Sequence, residues 1–245
     1  MENITQIFIS ENNEKLPNFF NKASTAIKKQ FFDSKYTIYN DGEIKNFLTK
    51  HFNEEVLWAY NSLQPYAYKA CLARYCILYI KGGWYFDLGI RCLHAYYPDL
   101  TVDFICFRDD KRHAKNSWSV CDGIFWTKKN SDILNIAIKK VIQNCKEKWY
   151  GRTPLCPAGP SLFGEAIVEA NRGKKIIFGD LIRPKVPFTR KDIPILLNLF
   201  KATFYLPNDK PIALLKPAPG GNLKSLGMKG SNNYNDFWKQ RNIYK

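Results

Sequence analysis

The 245 residues suit one domain, or one domain with a small elaboration. Hydrophobic residues at 45% and charged residues at 24% are ordinary globular values, which excludes wholesale disorder and fibrous or collagen-like classes. Thirty-seven Lys and Arg against 22 Asp and Glu give a net charge of +15, a field that attracts nucleic acid, an anionic membrane surface or phosphorylated small molecules without choosing among them. The basic residues are spread along the chain in pairs such as Lys28-Lys29 and Lys139-Lys140, so a solvated basic surface is an equal reading.

Seven Cys and three His make no Cys-x-x-Cys pair and no zinc-ligand spacing. Several Cys stand in apolar runs, which predicts reduced, buried thiols in a cytosolic protein. The first residues, MENITQIFISENNE, lack the basic and apolar regions of a signal peptide. The longest apolar run, Cys71 to Ile80, contains Arg74 and is too short to span a bilayer. A soluble chain, able to associate with a surface, is the expectation.

In chain order, Ile4 to Ile9 reads as a strand and Leu16 to Phe31 as a helix. Tyr36 to Tyr39 is a short strand that ends at the turn signal Asn40-Asp41-Gly42. Glu43 to Tyr60 has helical spacing. Pro65 opens a helix that runs to Ile80 and stops at Lys81-Gly82-Gly83. Trp84 to Phe86 is a strand ending at Asp87. Asp103 to Phe107 and Val120 to Trp126 read as buried strands, Asp132 to Asn144 and Ser161 to Asn171 as helices. Short strands follow at Ile176 to Phe178, Thr203 to Leu206 and Ile212 to Leu215. From Pro217 the chain is loop-like until Tyr234 to Trp238. Strands alternating with helices predict an α/β fold with a largely parallel sheet, whose ligands bind beyond the carboxyl ends of the strands.

The informative stretch runs from Ala67 to Gly89. Cys71, Arg74 and Leu78 share one helical face. Arg74 is a lone charge in an apolar helix, either at the surface or paired with an acid inside. Gly82-Gly83 ends the helix and allows close backbone approach. Asp87 leaves an aromatic strand and must be solvated, paired or bound to a metal, because an isolated buried carboxylate is costly. Asp122 precedes Gly123, and Asp-Gly is also a common turn.

This stretch resembles the core of the family 32 glycosyltransferases, which include mannosyltransferases, capsule and lipopolysaccharide transferases and the large clostridial toxins. Their pattern is an Asp-x-x-Arg-Tyr helix, then Leu-Tyr, then Gly-Gly-x-Tyr-x-Asp-x-Asp. Here it reads Cys71-Leu-Ala-Arg74-Tyr75, Leu78-Tyr79 and Gly82-Gly83-Trp84-Tyr85-Phe86-Asp87-Leu88-Gly89. Weaker echoes follow in the same order: Gln6-Ile7-Phe8-Ile9, Tyr36 to Asp41, Asp122-Gly123-Ile124-Phe125, Ala158-Gly159-Pro160, and Gly230 to Tyr234 with Trp238.

The resemblance implies one GT-A domain, a Rossmann-like α/β fold with a mixed, mostly parallel sheet, spanning 1–245, with 217–245 a C-terminal loop and helix that closes over the donor. It implies a hexosyltransferase, retaining, that uses a nucleotide sugar such as a UDP-sugar. The acceptor it implies is a saccharide or lipid-linked glycan of a bacterial lipopolysaccharide, capsule or exopolysaccharide. The implied place of work is the cytoplasm or the inner face of the membrane, against anionic lipid. Asp87 and Asp122 take the catalytic positions. Arg74, Tyr85, Gly82, Gly83, Phe8 and Trp238 take donor-binding ones, with Trp238 alternatively a core anchor. Asp87 and Asn232 are the implied ligands of Mn²⁺ or Mg²⁺. Two positions depart from the pattern: Cys71 replaces an Asp, and Gly89 replaces the second Asp of Asp-x-Asp. A replacement ligand could come from Asp122, Asp99, Asn232 or Asn233. Both departures also fit a degenerate relative that binds a nucleotide sugar or glycan without transfer. A nucleic-acid binder rests on charge alone, with no helix-turn-helix, RNP, KH or zinc-finger pattern, and no nucleic-acid partner is expected.

Overall fold

The computed structural model describes residues 1–10, 16–110, 116–182, 202–215 and 232–245. In chain order these form β1 (Asn3–Ile7), α1 (Asn18–Gln30), β2 (Lys35–Tyr39), α2 (Asp41–His51), α3 (Glu54–Ser62), α4 (Tyr66–Lys81), β3 (Gly83–Phe86) and β4 (Ile90–Cys92). There follow β5 (Phe104–Arg108), β6 (Val120–Thr127), α5 (Asp132–Lys146), α6 (Pro160–Ala170), β7 (Ile176–Ile182), β8 (Ala202–Leu206), β9 (Lys210–Leu215) and α7 (Tyr234–Lys239).

The strands make one sheet in the order β2-β1-β3-β6-β5-β7-β8-β9-β4. β1 pairs parallel with β2 and β3, and β5 parallel with β7; the other pairings are antiparallel. β1, β2, β3, β5, β7 and β9 therefore point one way, and β4, β6 and β8 the other. The sheet is mixed and mostly parallel in direction, and the reversed β6 sits between β3 and β5. The carboxyl ends of β3, β5 and β7 and the start of β6 consequently share one edge.

Strand alternation divides two cores. Tyr85 and Phe125 face the core under α2 to α6, while Trp84, Phe86 and Ile124 face the one that α1 covers with Ile27 and Phe31. Helix α4 is apolar nearly all round, as a helix between a sheet and other helices must be; ten of its residues are buried.

Three local readings are corrected. Asn40-Asp41-Gly42 is a helix start: Asn40 Oδ1 accepts from Glu43 N at 2.9 Å and Glu43 Oε2 accepts from Asn40 N at 2.9 Å, a reciprocal cap. The span Glu43 to Tyr60 is two helices, broken at Phe52 and Asn53, because Asn53 precedes Glu54-Glu55, an acidic first turn that favours a new helix N-terminus. Ile90–Cys92 forms a strand, β4, too short for its pattern to be read alone. The C-terminal loop expected to close over a donor falls, for 216–231, outside the described residues.

Gly82 and Gly83 join α4 to β3 at φ +62 and +97. A Cβ on Gly83 would stand 2.2 Å from Asn3 O, so β1 and β3 approach only because that atom is absent. Gly173 has φ +71 but open space around it. Gly83→Ala is expected to lower stability by about 3 kcal/mol and Gly173→Ala by about 1 kcal/mol, read by urea unfolding. Equal losses would contradict the close-approach account.

Candidate active site

The site lies where α4 crosses the shared strand edge, in a cleft lined by Cys71, Arg74, Asp87, Asp122, Gly159 and Tyr234 among others. Arg74 is the centre. It projects from an apolar helix and is only 4% exposed, so its charge must be answered inside the protein. Nη2 stands 3.3 Å from Asp87 Oδ1 and Nη1 3.6 Å from Asp122 Oδ2. Nη1 also donates to the Asp122 carbonyl at 2.5 Å, Nε donates to Ala70 O at 3.1 Å, and the guanidinium lies 4.4 Å from the centre of the Tyr85 ring. The paired-inside reading of Arg74 is the one the structure adopts.

Asp87 follows β3 directly. Its N–H donates to Gly123 O at 2.7 Å, and its carbonyl accepts from Ile90 N at 2.9 Å, a tight turn through Leu88 and Gly89. Tyr85 donates its hydroxyl to Asp87 Oδ1 at 2.7 Å. The Tyr85 and Arg74 contacts thus both fall on Oδ1, leaving Oδ2 for a ligand. The side chain is 44% open on the cleft side. Desolvation by the enclosing protein raises the Asp87 pKa above its ordinary value; the positive Arg74 opposes this and the charge of Asp122 adds to it.

Asp122 lies within β6, near its start, and is buried. The sequence reading put it in the strand Val120 to Trp126, with an Asp-Gly turn as the alternative; the reversal of β6 is what carries its start to the active edge. Its Oδ2 accepts from the Cys71 thiol at 3.0 Å and lies 3.2 Å from the Tyr75 hydroxyl. Burial pushes the Cys71 thiol pKa well up, and Asp122 adds to the effect, so Cys71 is a neutral donor. Cys71 thus brings no carboxylate of its own and donates to that of Asp122 on the neighbouring strand.

Other expected residues have different places. Tyr85 is buried behind Arg74, where it holds Asp87. Gly82 and Gly83 stand at the far end of β3 from Asp87 and serve the fold. Phe8 is buried against Leu16, Ile38, Tyr66 and Leu88, beside the turn after Asp87. Trp238 donates Nε1 to Tyr150 O at 2.7 Å, the anchoring alternative. Asn232 accepts at Oδ1 from Ala67 N at 2.6 Å in the first turn of α4. Asp99 is solvent-exposed and accepts from the Thr101 hydroxyl at 2.5 Å.

Two supporting residues, Gly123 and Gln6, stand in the weaker echoes of the family pattern, which gave them no role of their own. Gly123 leaves room for Asp87: a Cβ there would stand 2.6 Å from Oδ2. Gln6, buried in β1, donates Nε2 to Phe86 O at 3.2 Å and accepts from Ser24 Oγ at 2.8 Å, which fixes the end of β3.

The raised pKa of Asp87 carries a stability sign. In the unfolded chain it titrates near 3.8; stability from its protonated form is complete below that value and is lost as pH rises through the folded value. Asp87→Asn removes that loss. The variant is expected to melt slightly above wild type at pH 7, with the gap closing below pH 4. A lower melting temperature at pH 7 would show that Asp87 is structural.

Residues 11–105 match the family model described as a glycosyltransferase sugar-binding region containing a DXD motif. An uncharacterized glycosyltransferase, L373, of Acanthamoeba polyphaga mimivirus is 36% identical over 89 residues, which are 36% of this chain. The match spans only 35% of that relative's length. Among solved structures, the PaToxG glycosyltransferase superposes with a TM-score of 0.53 at 19% identity, covering 69% of each chain. A glycosyltransferase involved in glycosylating the major capsid of PBCV-1 superposes with a TM-score of 0.37 at 12% identity, covering 72% of this chain and 81% of its own. Residues 11–105 are therefore similar to the sugar-binding region of DXD-type glycosyltransferases, and the described residues share the GT-A fold of a solved glycosyltransferase.

Proposed function

We propose that the protein transfers a hexose from a nucleotide sugar, a UDP-sugar in the first instance, to a saccharide acceptor with retention at the anomeric carbon. The observation that carries this reading is the Asp87–Arg74–Asp122 arrangement in a cleft at the carboxyl end of β3, where open α/β sheets bind ligands. The retaining outcome, the UDP moiety and a lipopolysaccharide, capsule or exopolysaccharide acceptor rest on the family resemblance. The +15 charge supports work beside an anionic membrane, the cytoplasmic inner face in this reading.

In this reading Arg74 and Asp87 receive the donor's diphosphate end. Asp122, held by Cys71, Tyr75 and Arg74, faces the sugar and stabilises positive charge that develops at its anomeric carbon. Two carboxylates against one guanidinium leave the cleft one negative charge in excess, which repels a diphosphate. No group of three His, Cys, Asp or Glu among the described residues forms a metal cage. Asp87 Oδ2 alone fits the mode in which Mg²⁺ or Mn²⁺ binds one carboxylate plus substrate phosphates. Held there, such a cation supplies charge neutralisation to the departing diphosphate.

A second reading, a non-catalytic binder, is motivated by Gly89 at the second acid position. Donor hydrolysis across a panel of nucleotide sugars, with Mn²⁺, Mg²⁺ or EDTA, separates the two. The expected outcome is nucleotide release from one donor, lost in EDTA and at least 100-fold lower in Asp87→Asn, on the scale of losing one electrostatic catalytic contact. Gly89→Asp is expected to tighten metal dependence, since the position follows Asp87 in the same turn. Donor binding with no hydrolysis and no transfer to any saccharide would favour the binder.

A further inference from the structure

We propose that the chain holds a second saccharide subsite on the same strand edge, formed by Trp118, Phe178, Val168, Asn171 and the Arg108–Asp180 ion pair. Its role as the acceptor's seat rests on the transferase reading; saccharide binding itself does not.

The pocket is lined by Arg108, Trp118, Val120, Gly164, Val168, Asn171 and Phe178 among others. Three large apolar side chains are left open there: Trp118 at 45%, Val168 at 58% and Phe178 at 39%. Each belongs to a different piece of the fold, and together they make one wall. Phe178 shares the helix-covered face of the sheet with Ile176 but stays partly exposed beside α6. Gly164 explains how Trp118 is fixed: a Cβ there would stand 1.8 Å from Trp118 O, so the loop backbone lies directly on α6.

Polar groups ring this wall. Arg108 and Asp180 face each other across β5 and β7, joined by Nε–Oδ1 at 2.7 Å and Nη2–Oδ2 at 2.6 Å. The pair is about half exposed, so its outer edges are open to hydroxyl groups. Asn171 adds an exposed amide at the end of α6. An aromatic wall with a few planar, bidentate polar groups suits a sugar, whose apolar C–H face packs on a ring while its hydroxyls bind the rim.

Position ties the pocket to the cleft. Val120 lines the pocket and Asp122 the cleft, on one face of β6 about 7 Å apart along the strand. Helix α6 touches the cleft with Pro160 and the pocket from Gly164 onward, about 6 Å further at its helical rise. A glycan of two or three rings spans that distance, so its end can reach the sugar in the cleft.

Saturation-transfer NMR tests this with methyl glucoside, methyl galactoside, methyl mannoside, lactose, maltose and chitobiose, each without nucleotide. Wild-type protein is expected to transfer saturation to the ring protons of at least one probe, reduced at least fivefold in Trp118→Ala and in Phe178→Ala. Arg108→Gln, which keeps the apolar wall, should reduce it at least twofold. Asp87→Asn should retain it. Near-ultraviolet circular dichroism establishes that each variant is folded. No signal from any probe, a signal that survives both aromatic substitutions, or one lost equally in Asp87→Asn would overturn the subsite. Saccharide binding with neither hydrolysis of any donor nor transfer to any saccharide would leave the subsite standing and remove the transferase reading.

Discussion

A guanidinium placed on an apolar helix and sealed from water governs this architecture. Arg74 could not persist at 4% exposure without counter-charge, because an unpaired charge sealed from water is costly; two carboxylates answer it, so either alone still pairs it. Its two partners come from different strands, Asp87 after β3 and Asp122 in β6. The charge therefore ties α4 to two neighbouring strands at their active edge. It also sets the chemistry: Asp87 is held where it faces Arg74 and is partly open to the cleft, while Asp122 stays buried at the cleft wall.

The surrounding residues serve that arrangement. Tyr85 lies under the guanidinium and donates to Asp87, so one ring satisfies both members of the pair. Cys71, three residues before Arg74 on its face of α4, and Tyr75, the residue after it, hold Asp122. Gly123 gives Asp87 its space, and Gly83 gives β3 its close approach to β1. Gln6 reaches across from β1 to the carbonyl of Phe86. The reversed β6 has a functional consequence, since it presents Asp122 and Val120 to the same edge as the ends of β3, β5 and β7.

Much of this was legible in the sequence because the signals are local. The apolar run ending at Gly82-Gly83, the strand ending at Asp87 and the apolar spacing of α5 depend on neighbours in the chain. The direction of β6 does not, and with it the meaning of Asp122 was hidden: the strand was readable, but not that its start lies at the edge where β3 ends. The cap at Asn40 was hidden by a competing turn signal, and β4 by its length. Tyr85 was expected at the donor pocket from the family resemblance; strand alternation turns it inward beneath Arg74. Trp118 and Phe178 are unremarkable in sequence, since only the fold leaves them open on one wall.

A crystal structure of the protein with a bound nucleoside diphosphate tests the central claim most directly. The account predicts the two phosphates in the cleft between α4 and the start of β6, against the Arg74–Asp87 pair and short of Asp122. A diphosphate held elsewhere on the basic surface, with the cleft unchanged and Arg74 still closed on its two carboxylates, would contradict it.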